Sequence, residues 1–264
     1  MKRIRIVRHR RGEASRAVVD SVAGEEPLEI RVDTRPIAVV MRTPGHDAEL
    51  ALGFLVSEGL IRRASEVREV RPNPRNTSGN SIDVLLSPEV TVDFGRLTRH
   101  VFASSSCGLC GATSIQSVRR QFPPLEPAPV LPAETLLSLP DRLRESQTEF
   151  SRTGGLHAAG LFDAAGRLLA VREDVGRHNA VDKLLGWGLQ EGRLPLRDVG
   201  VLVSGRVSFE IVQKALAGGI AFVAAVSAPS SLAVEFARKN RQTLVGFLRE
   251  GRFNVYSGTV GSTR

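Results

Sequence analysis

Residues 199–226 read VGVLVSGRVSFEIVQKALAGGIAFVAAV, and this stretch decides the fold class. Val199–Val203 is a short run of valine, leucine and glycine, the pattern of a strand buried on both faces. It stops at Ser204-Gly205-Arg206, after which Ser208–Ala217 has the composition and spacing of a helix. Ile220–Val226 is then a second apolar strand. The same alternation extends outward in both directions. Downstream lie a helix over Ser231–Lys239, a strand over Thr243–Phe247 and a final edge strand within Gly251–Gly258. Upstream, Arg177–Leu189 reads as a helix, and Ala158–Phe162 and Leu168–Val171 form a hairpin around Asp163-Ala164-Ala165-Gly166. Strand and helix in alternation predict helices packed on a partly parallel sheet.

The first hundred residues have a different texture. Leu28–Val32 and Pro36–Met41 are β-rich runs about the polar turn Asp33-Thr34-Arg35, which predicts an antiparallel hairpin. After Thr43-Pro44-Gly45, the residues Leu50, Phe54 and Leu55 share one helical face, and Gly59 supplies a stop. Strands are expected at Val67–Arg71 and Ile82–Leu86. The fold class is therefore mixed α/β (α+β). Residues 1–105 form a smaller, β-rich N-terminal unit and residues 106–131 a cysteine loop with a proline-rich connector. Residues 132–264 form the C-terminal unit.

Composition sets limits on function. Apolar residues make up 42% and charged residues 24% of the 264, as in ordinary globular proteins. No apolar run approaches the roughly 20 residues of a membrane span, and no signal-peptide core follows the basic opening, so a cytoplasmic location is expected. The net charge is +8, yet aromatics are only 5% and no recognition motif is present, so nucleic acid is not the expected partner. A small anion such as a nucleotide or pyrophosphate suits dispersed charge better. Ser204-Gly205-Arg206, at a strand end and a helix start, is one place for it. Gly154-Gly155-Leu156-His157 and Asp174-Val175-Gly176-Arg177-His178-Asn179 are others.

The only two cysteines, Cys107 and Cys110, share the segment Ser104-Ser105-Ser106-Cys107-Gly108-Leu109-Cys110-Gly111. Three chemistries fit such a pair. A zinc site needs further ligands, and the five histidines offer no matching pair within one chain. A thioredoxin-like dithiol should follow a strand and open a helix, whereas serines and glycines surround this pair. A glycine-flanked thiol arm is the third. There, a thiolate favoured by a nearby helix start would attack a donor persulfide. Zinc deamination is disfavoured because Ser106 stands where proline precedes the cysteine pair and no His-x-Glu lies upstream.

Taken together, several segments resemble one family, in one order along the chain. They are Glu25-Glu26-Pro27-Leu28, Thr43-Pro44-Gly45 through Glu58-Gly59, Ser105-Ser106-Cys107-Gly108-x-Cys110-Gly111 and Thr153-Gly154-Gly155-Leu156-His157. Glu173 through Lys183, Ser204-Gly205-Arg206 and Phe253-Asn254-Val255-Tyr256 complete the set. They resemble the FdhD family of formate dehydrogenase accessory proteins over roughly residues 25 to 258. The resemblance implies a C-terminal three-layer domain similar in fold to cytidine deaminase, and a homodimer. It implies a sulfurtransferase that accepts sulfur from a cysteine desulfurase and passes it to the molybdenum bis(molybdopterin guanine dinucleotide) cofactor destined for formate dehydrogenase. A guanine nucleotide would act as a partial mimic of that acceptor.

Carried onto this sequence, Cys107 matches the persulfide-bearing cysteine and Cys110 the auxiliary one. Phe253, Asn254, Val255, Tyr256, Ser257 and Gly258 match the cofactor-binding stretch. The dispersed charge adds Arg206, Arg177 and Lys183 as expected contributors to an anion-binding surface, and no resident metal is expected. The alternative function is a non-catalytic chaperone that escorts the cofactor. A dithiol oxidoreductase is a further rival, and it would require both cysteines equally.

Overall fold

The computed structural model describes residues 1–92, 94 and 122–262. The chain opens with β1 (Lys2–Arg8) and β2 (Arg16–Val22), an antiparallel two-stranded ribbon. A four-stranded sheet follows, built from β3 (Glu26–Val32), β4 (Arg35–Arg42), β5 (Val67–Pro72) and β6 (Ser81–Leu86) in the order β4-β3-β6-β5. The β3–β4 turn is the expected one. Asp33 and Thr34 both take positive φ (46° and 66°), the twist that a tight hairpin turn needs. Helix α1 (Asp47–Ser57) lies between β4 and β5, and the chain turns out of it at Gly59, whose φ is +72°.

The second sheet has six strands in the order β12-β11-β10-β9-β7-β8. They are β7 (His157–Phe162), β8 (Leu168–Asp174), β9 (Gly200–Val203), β10 (Phe222–Ala225), β11 (Thr243–Arg249) and β12 (Arg252–Ser257). Strands β9, β10 and β11 run parallel, as the opening stretch predicts, while β7, β8 and β12 are antiparallel to their neighbours. Period-two alternation gives this sheet two apolar faces. Ala158, Phe162, Leu202, Phe222 and Val245 meet Leu136, Leu139 and Leu143 of α2 (Ala133–Ser146). Ala159, Leu161, Val201, Val203 and Val223 join α4 (Arg177–Gln190), α5 (Phe209–Ala217) and α6 (Ser231–Lys239) on the other face. The result is a helix–sheet–helix sandwich.

Helix α1 crosses α4 with backbone against backbone. A Cβ built on Gly53 would stand 1.7 Å from the carbonyl oxygen of Asp182, and one on Gly186 would stand 1.9 Å from that of Glu49. No other residue type fits either position. The alternating Leu28, Ile30 and Val32 of β3 belong to the same buried cluster as α1 and α4, so apolar packing runs continuously from the first sheet into the sandwich.

Two regions differ from expectation. The opening residues, basic to the eye, alternate enough to pair as β1 and β2. Helices α2 and α3 (Thr148–Thr153) follow the proline-rich stretch directly, and Pro140 sits inside α2. The buried Ala133, Leu136, Leu139 and Leu143 supply the apolar stripe that offsets the proline's lost backbone donor. No helix among the described residues is long and apolar enough to cross a membrane.

Candidate functional site

Because β7 runs antiparallel to β9, its first residue His157 lies at the same end of the sheet as the loop that leaves β9. That end carries the carboxyl termini of the parallel strands, where open α/β sheets place their ligands. Ser204 pins the loop to β7: its Oγ accepts from the Ala158 amide at 2.9 Å and its own amide donates to the Ala158 carbonyl at 2.9 Å. Gly205 is packed so closely that a Cβ would fall 3.2 Å from His157 Nδ1 and 3.7 Å from Arg177 Cδ. Arg177 is the first residue of α4, and Arg206 follows Gly205, so two guanidinium groups converge on one imidazole.

The electrostatics of this corner are one-sided. Arg177 Nε is buried without a hydrogen-bond partner. Among the described residues, neither Arg177 nor Arg206 makes a side-chain ion pair or hydrogen bond, and Arg206 is exposed. Burial holds the His157 pKa below its usual value. Arg177 and Arg206 push it down further, against a smaller opposing pull from Asp174. A neutral imidazole beside two unpaired guanidiniums, at a helix start, is a place for an anion.

The predicted stretch at the chain's end lies elsewhere. Val255, Tyr256, Ser257 and Gly258 line a groove of about 560 Å³ together with Arg238 and Arg241. Arg238 Nε donates to the Tyr256 carbonyl at 3.1 Å. Ser257 pairs with Leu244 near the start of β11, so this groove is at the opposite end of the sheet from Arg206. Three strand-to-strand steps across the sheet and the length of a short strand put the two places roughly 20 Å apart. Of the remaining expected residues, Phe253 packs half-buried against the α2-side core. Asn254 is exposed, 3.5 Å from the Tyr256 hydroxyl. No spacing in the sequence pairs Arg238 and Arg241 with Tyr256, so sequence reasoning misses them.

Lys183 occupies a third environment. Only 1% of its side chain is exposed, and its ammonium pairs with Asp174 Oδ2 at 2.7 Å. It also donates to the carbonyls of Thr43 at 3.0 Å and Glu173 at 3.3 Å. All three donors are committed, two to β8 and one to the loop before α1, which ties α4 to both. The structure thus brings Arg177 and Arg206 together with His157, and keeps Lys183 apart as an interior tie.

Beside the anion corner lies a buried polar cluster that joins α1, α4 and α5. Lys214 Nζ donates to Ser57 Oγ at 3.0 Å and to both carboxylate oxygens of Asp182, at 3.0 and 2.8 Å. Glu210 Oε1 stands 3.6 Å from the same ammonium. Its Oε2 has no hydrogen-bond partner, although His178 Nε2 is 3.2 Å away. Burial, reinforced by Asp182 and Glu58 and opposed by Lys214, raises Glu210 to about 7. Burial and the cations Arg177 and Lys214 lower His178 to about 3. The short His178–Glu210 approach therefore involves an uncharged imidazole at neutral pH.

Cys107 and Cys110 lie outside the described residues. Among the described residues, no cluster of histidine, cysteine and carboxylate side chains could hold a metal ion. A sequence model of the FdhD/NarQ family matches residues 23–261. The chain belongs to the FdhD/NarQ family. A protein of Streptomyces avermitilis named sulfur carrier protein FdhD is 50% identical, over 97% of this chain and 94% of its own. One of the same name from Mycobacterium tuberculosis is 48% identical, over 96% and 95%. The crystal structure of a Desulfotalea psychrophila protein, described as a formate dehydrogenase accessory protein, superposes with a TM-score of 0.76. It is 29% identical and covers 97% of this chain and 96% of that one. The FdhD/NarQ match spans His157, Arg177, Arg206 and the β12 groove alike.

Proposed function

We propose that this chain is a sulfur carrier that loads Cys107 with a persulfide from a cysteine desulfurase. It passes that sulfur to molybdenum bis(molybdopterin guanine dinucleotide), the cofactor formate dehydrogenase needs. Relatives named sulfur carrier proteins, about half identical over nearly the whole chain, support the transfer role. The observation that carries the choice of acceptor is the pair of unpaired guanidiniums around His157, since a guanine dinucleotide presents pyrophosphate. Arg177 and Arg206 would hold that anionic part, and the β12 groove offers Val255–Gly258 to the rest. The working form is a cytoplasmic homodimer.

In the loading step the Cys107 thiolate attacks the terminal sulfur of the donor persulfide. The donor S–S bond breaks, the desulfurase thiolate leaves, and Cys107 keeps the sulfur with no net redox change. In the unloading step the Cys110 thiolate attacks Cys107 Sγ, and hydrosulfide departs with the electron pair to the acceptor. The Cys107–Cys110 disulfide that remains is reduced by a cellular dithiol before the next round.

Intact-protein mass spectrometry after incubation with a desulfurase and cysteine tests the loading step. The expected result is a reducible gain of one sulfur on the wild type and on Cys110→Ala, absent from Cys107→Ala. No gain on the wild type, with an active desulfurase in the same tube, would turn the assignment to a cofactor-escorting chaperone.

A further inference from the structure

The β1–β2 ribbon has no part in the site. The family match begins at residue 23, where the ribbon has just ended. Residues 1–22 carry seven Lys and Arg against two carboxylates, so five of the chain's eight net positive charges sit on this segment. Cross-strand register sorts its side chains onto two faces. Lys2, Ile4, Ile6 and Arg8 share one face with Arg16, Val18, Asp20 and Val22, and Ile6, Val18, Asp20 and Val22 there are half-buried. Arg3, Arg5 and Val7 share the other with Ala17, Val19 and Ser21, and there all but Ser21 are exposed.

That outer face combines unusual features. Val7 is 60% exposed and Val19 55%, side by side with two arginines. The ribbon's carboxylates are engaged elsewhere, Asp20 with Arg8 at 3.5 Å and Glu13 with Arg10 at 3.8 Å. Among the described residues Arg3 and Arg5 make no side-chain ion pair or hydrogen bond. The backbone of β1 pairs only with β2, leaving its outer edge unpaired among the described residues.

We infer that the ribbon docks an acidic polypeptide segment of a partner protein, laid in extended form along the free edge of β1. The added strand would pair with the open backbone edge and set its carboxylates beside Arg3 and Arg5, with apolar side chains against Val7 and Val19. Charge selects the acidic partner, and the exposed valines select a polypeptide. Residues 1–22 contain no phenylalanine, tyrosine or tryptophan, so the bases of a nucleic acid would find none of these rings to stack on. Arginines that serve only to keep an edge from self-pairing would give the same sequence without a partner, and the following test separates the two.

Fluorescence anisotropy with the full chain would use three labelled probes of equal charge: a peptide alternating glutamate and valine, a glutamate-only peptide and a uridine oligonucleotide. The alternating peptide should bind tightest. Arg3→Glu with Arg5→Glu should weaken it by about tenfold or more, and Arg3→Gln with Arg5→Gln by less. Val7→Ser with Val19→Ser should bring it level with the glutamate-only peptide. All variants should keep the wild-type unfolding midpoint and the Cys107 sulfur gain, which makes failure here distinct from failure of the carrier reading. Unchanged peptide binding by the charge-reversed variant would leave the arginines as edge guards and overturn the proposal. Tighter binding of the oligonucleotide than of the alternating peptide would also overturn it, in favour of nucleic acid.

Discussion

Two pairs of cations in this molecule come from the same two helices or their approaches and are opposite in state. Lys183 and Lys214 are buried, and each faces a carboxylate, Asp174 at 2.7 Å and Asp182 at 2.8 Å. Arg177 and Arg206 stand at the mouth of the same sandwich without a carboxylate in ion-pair contact among the described residues, and Arg177 has a buried Nε left unsatisfied. The first pair ties helices together, because a buried charge is tolerable only with its counter-charge and hydrogen bonds in place. The second has that requirement unmet inside the chain, which is the condition of a site whose counter-charge arrives from outside. On the function proposed above, fixed positive charge is divided between architecture and recognition by what surrounds it.

The largest effect should come from breaking an interior pair. Lys214→Met leaves Asp182 buried without its cation, and should cost about 3–5 kcal/mol in denaturant unfolding at neutral pH. The loss should shrink in acid, where Asp182, already raised by burial, takes up a proton. If the variant unfolds like the wild type, the interior pairs are not the ties described here.

Arg206→Gln sharpens the contrast from the other side. An exposed, unpaired arginine should change stability by no more than about 0.5 kcal/mol. Affinity for guanosine diphosphate, measured by calorimetry, should nonetheless fall about tenfold, in line with the loss of one charged hydrogen bond. Arg177→Gln should weaken nucleotide binding similarly. Unchanged affinity in both variants would remove this corner from acceptor binding.

A further effect is one of slope. His178, held down to about 3 against 6.5 when unfolded, contributes stability in full above pH 6.5 and loses it as the pH falls toward 3. Glu210, raised to about 7 against 4.5, behaves oppositely: its contribution is full below pH 4.5 and is lost as the pH rises toward 7. Between about pH 4.5 and 6.5 the two oppose each other. Unfolding free energy should therefore rise with pH across that window in Glu210→Gln and fall in His178→Gln. Equal slopes in the two variants would show that this contact does not carry the coupling.

Much of the fold could be read from local pattern. Valine-rich runs of four or five residues ending at glycine or serine are buried strands, and β9 and β10 fall within the expected ranges. The helix over Ser231–Lys239 matches its expected bounds because Ser230 caps it, accepting from the Ala233 amide. The stripe Leu136, Leu139, Leu143 of α2 was equally present but is broken by Pro140, and local rules weigh a proline more heavily than the core that holds it. The anion corner was half legible. Ser204-Gly205-Arg206 and Arg177 stand out as strand-end and helix-start residues, but their convergence on His157 depends on β7 running antiparallel to β9.

By itself, then, the sequence determined the order of elements and the alternation that gives the sheet two buried faces. It also determined the residue types available for an anion and for sulfur. These follow from interactions within a few residues, where hydrophobic period and capping decide. Only the tertiary structure decided which cations stay free. Lys183 and Arg177 are six residues apart on one helix, yet one meets Asp174 in the interior and the other opens toward Arg206. Their difference is a matter of which strands and helices fold against them, and a pairing between distant segments leaves no periodic trace in the chain.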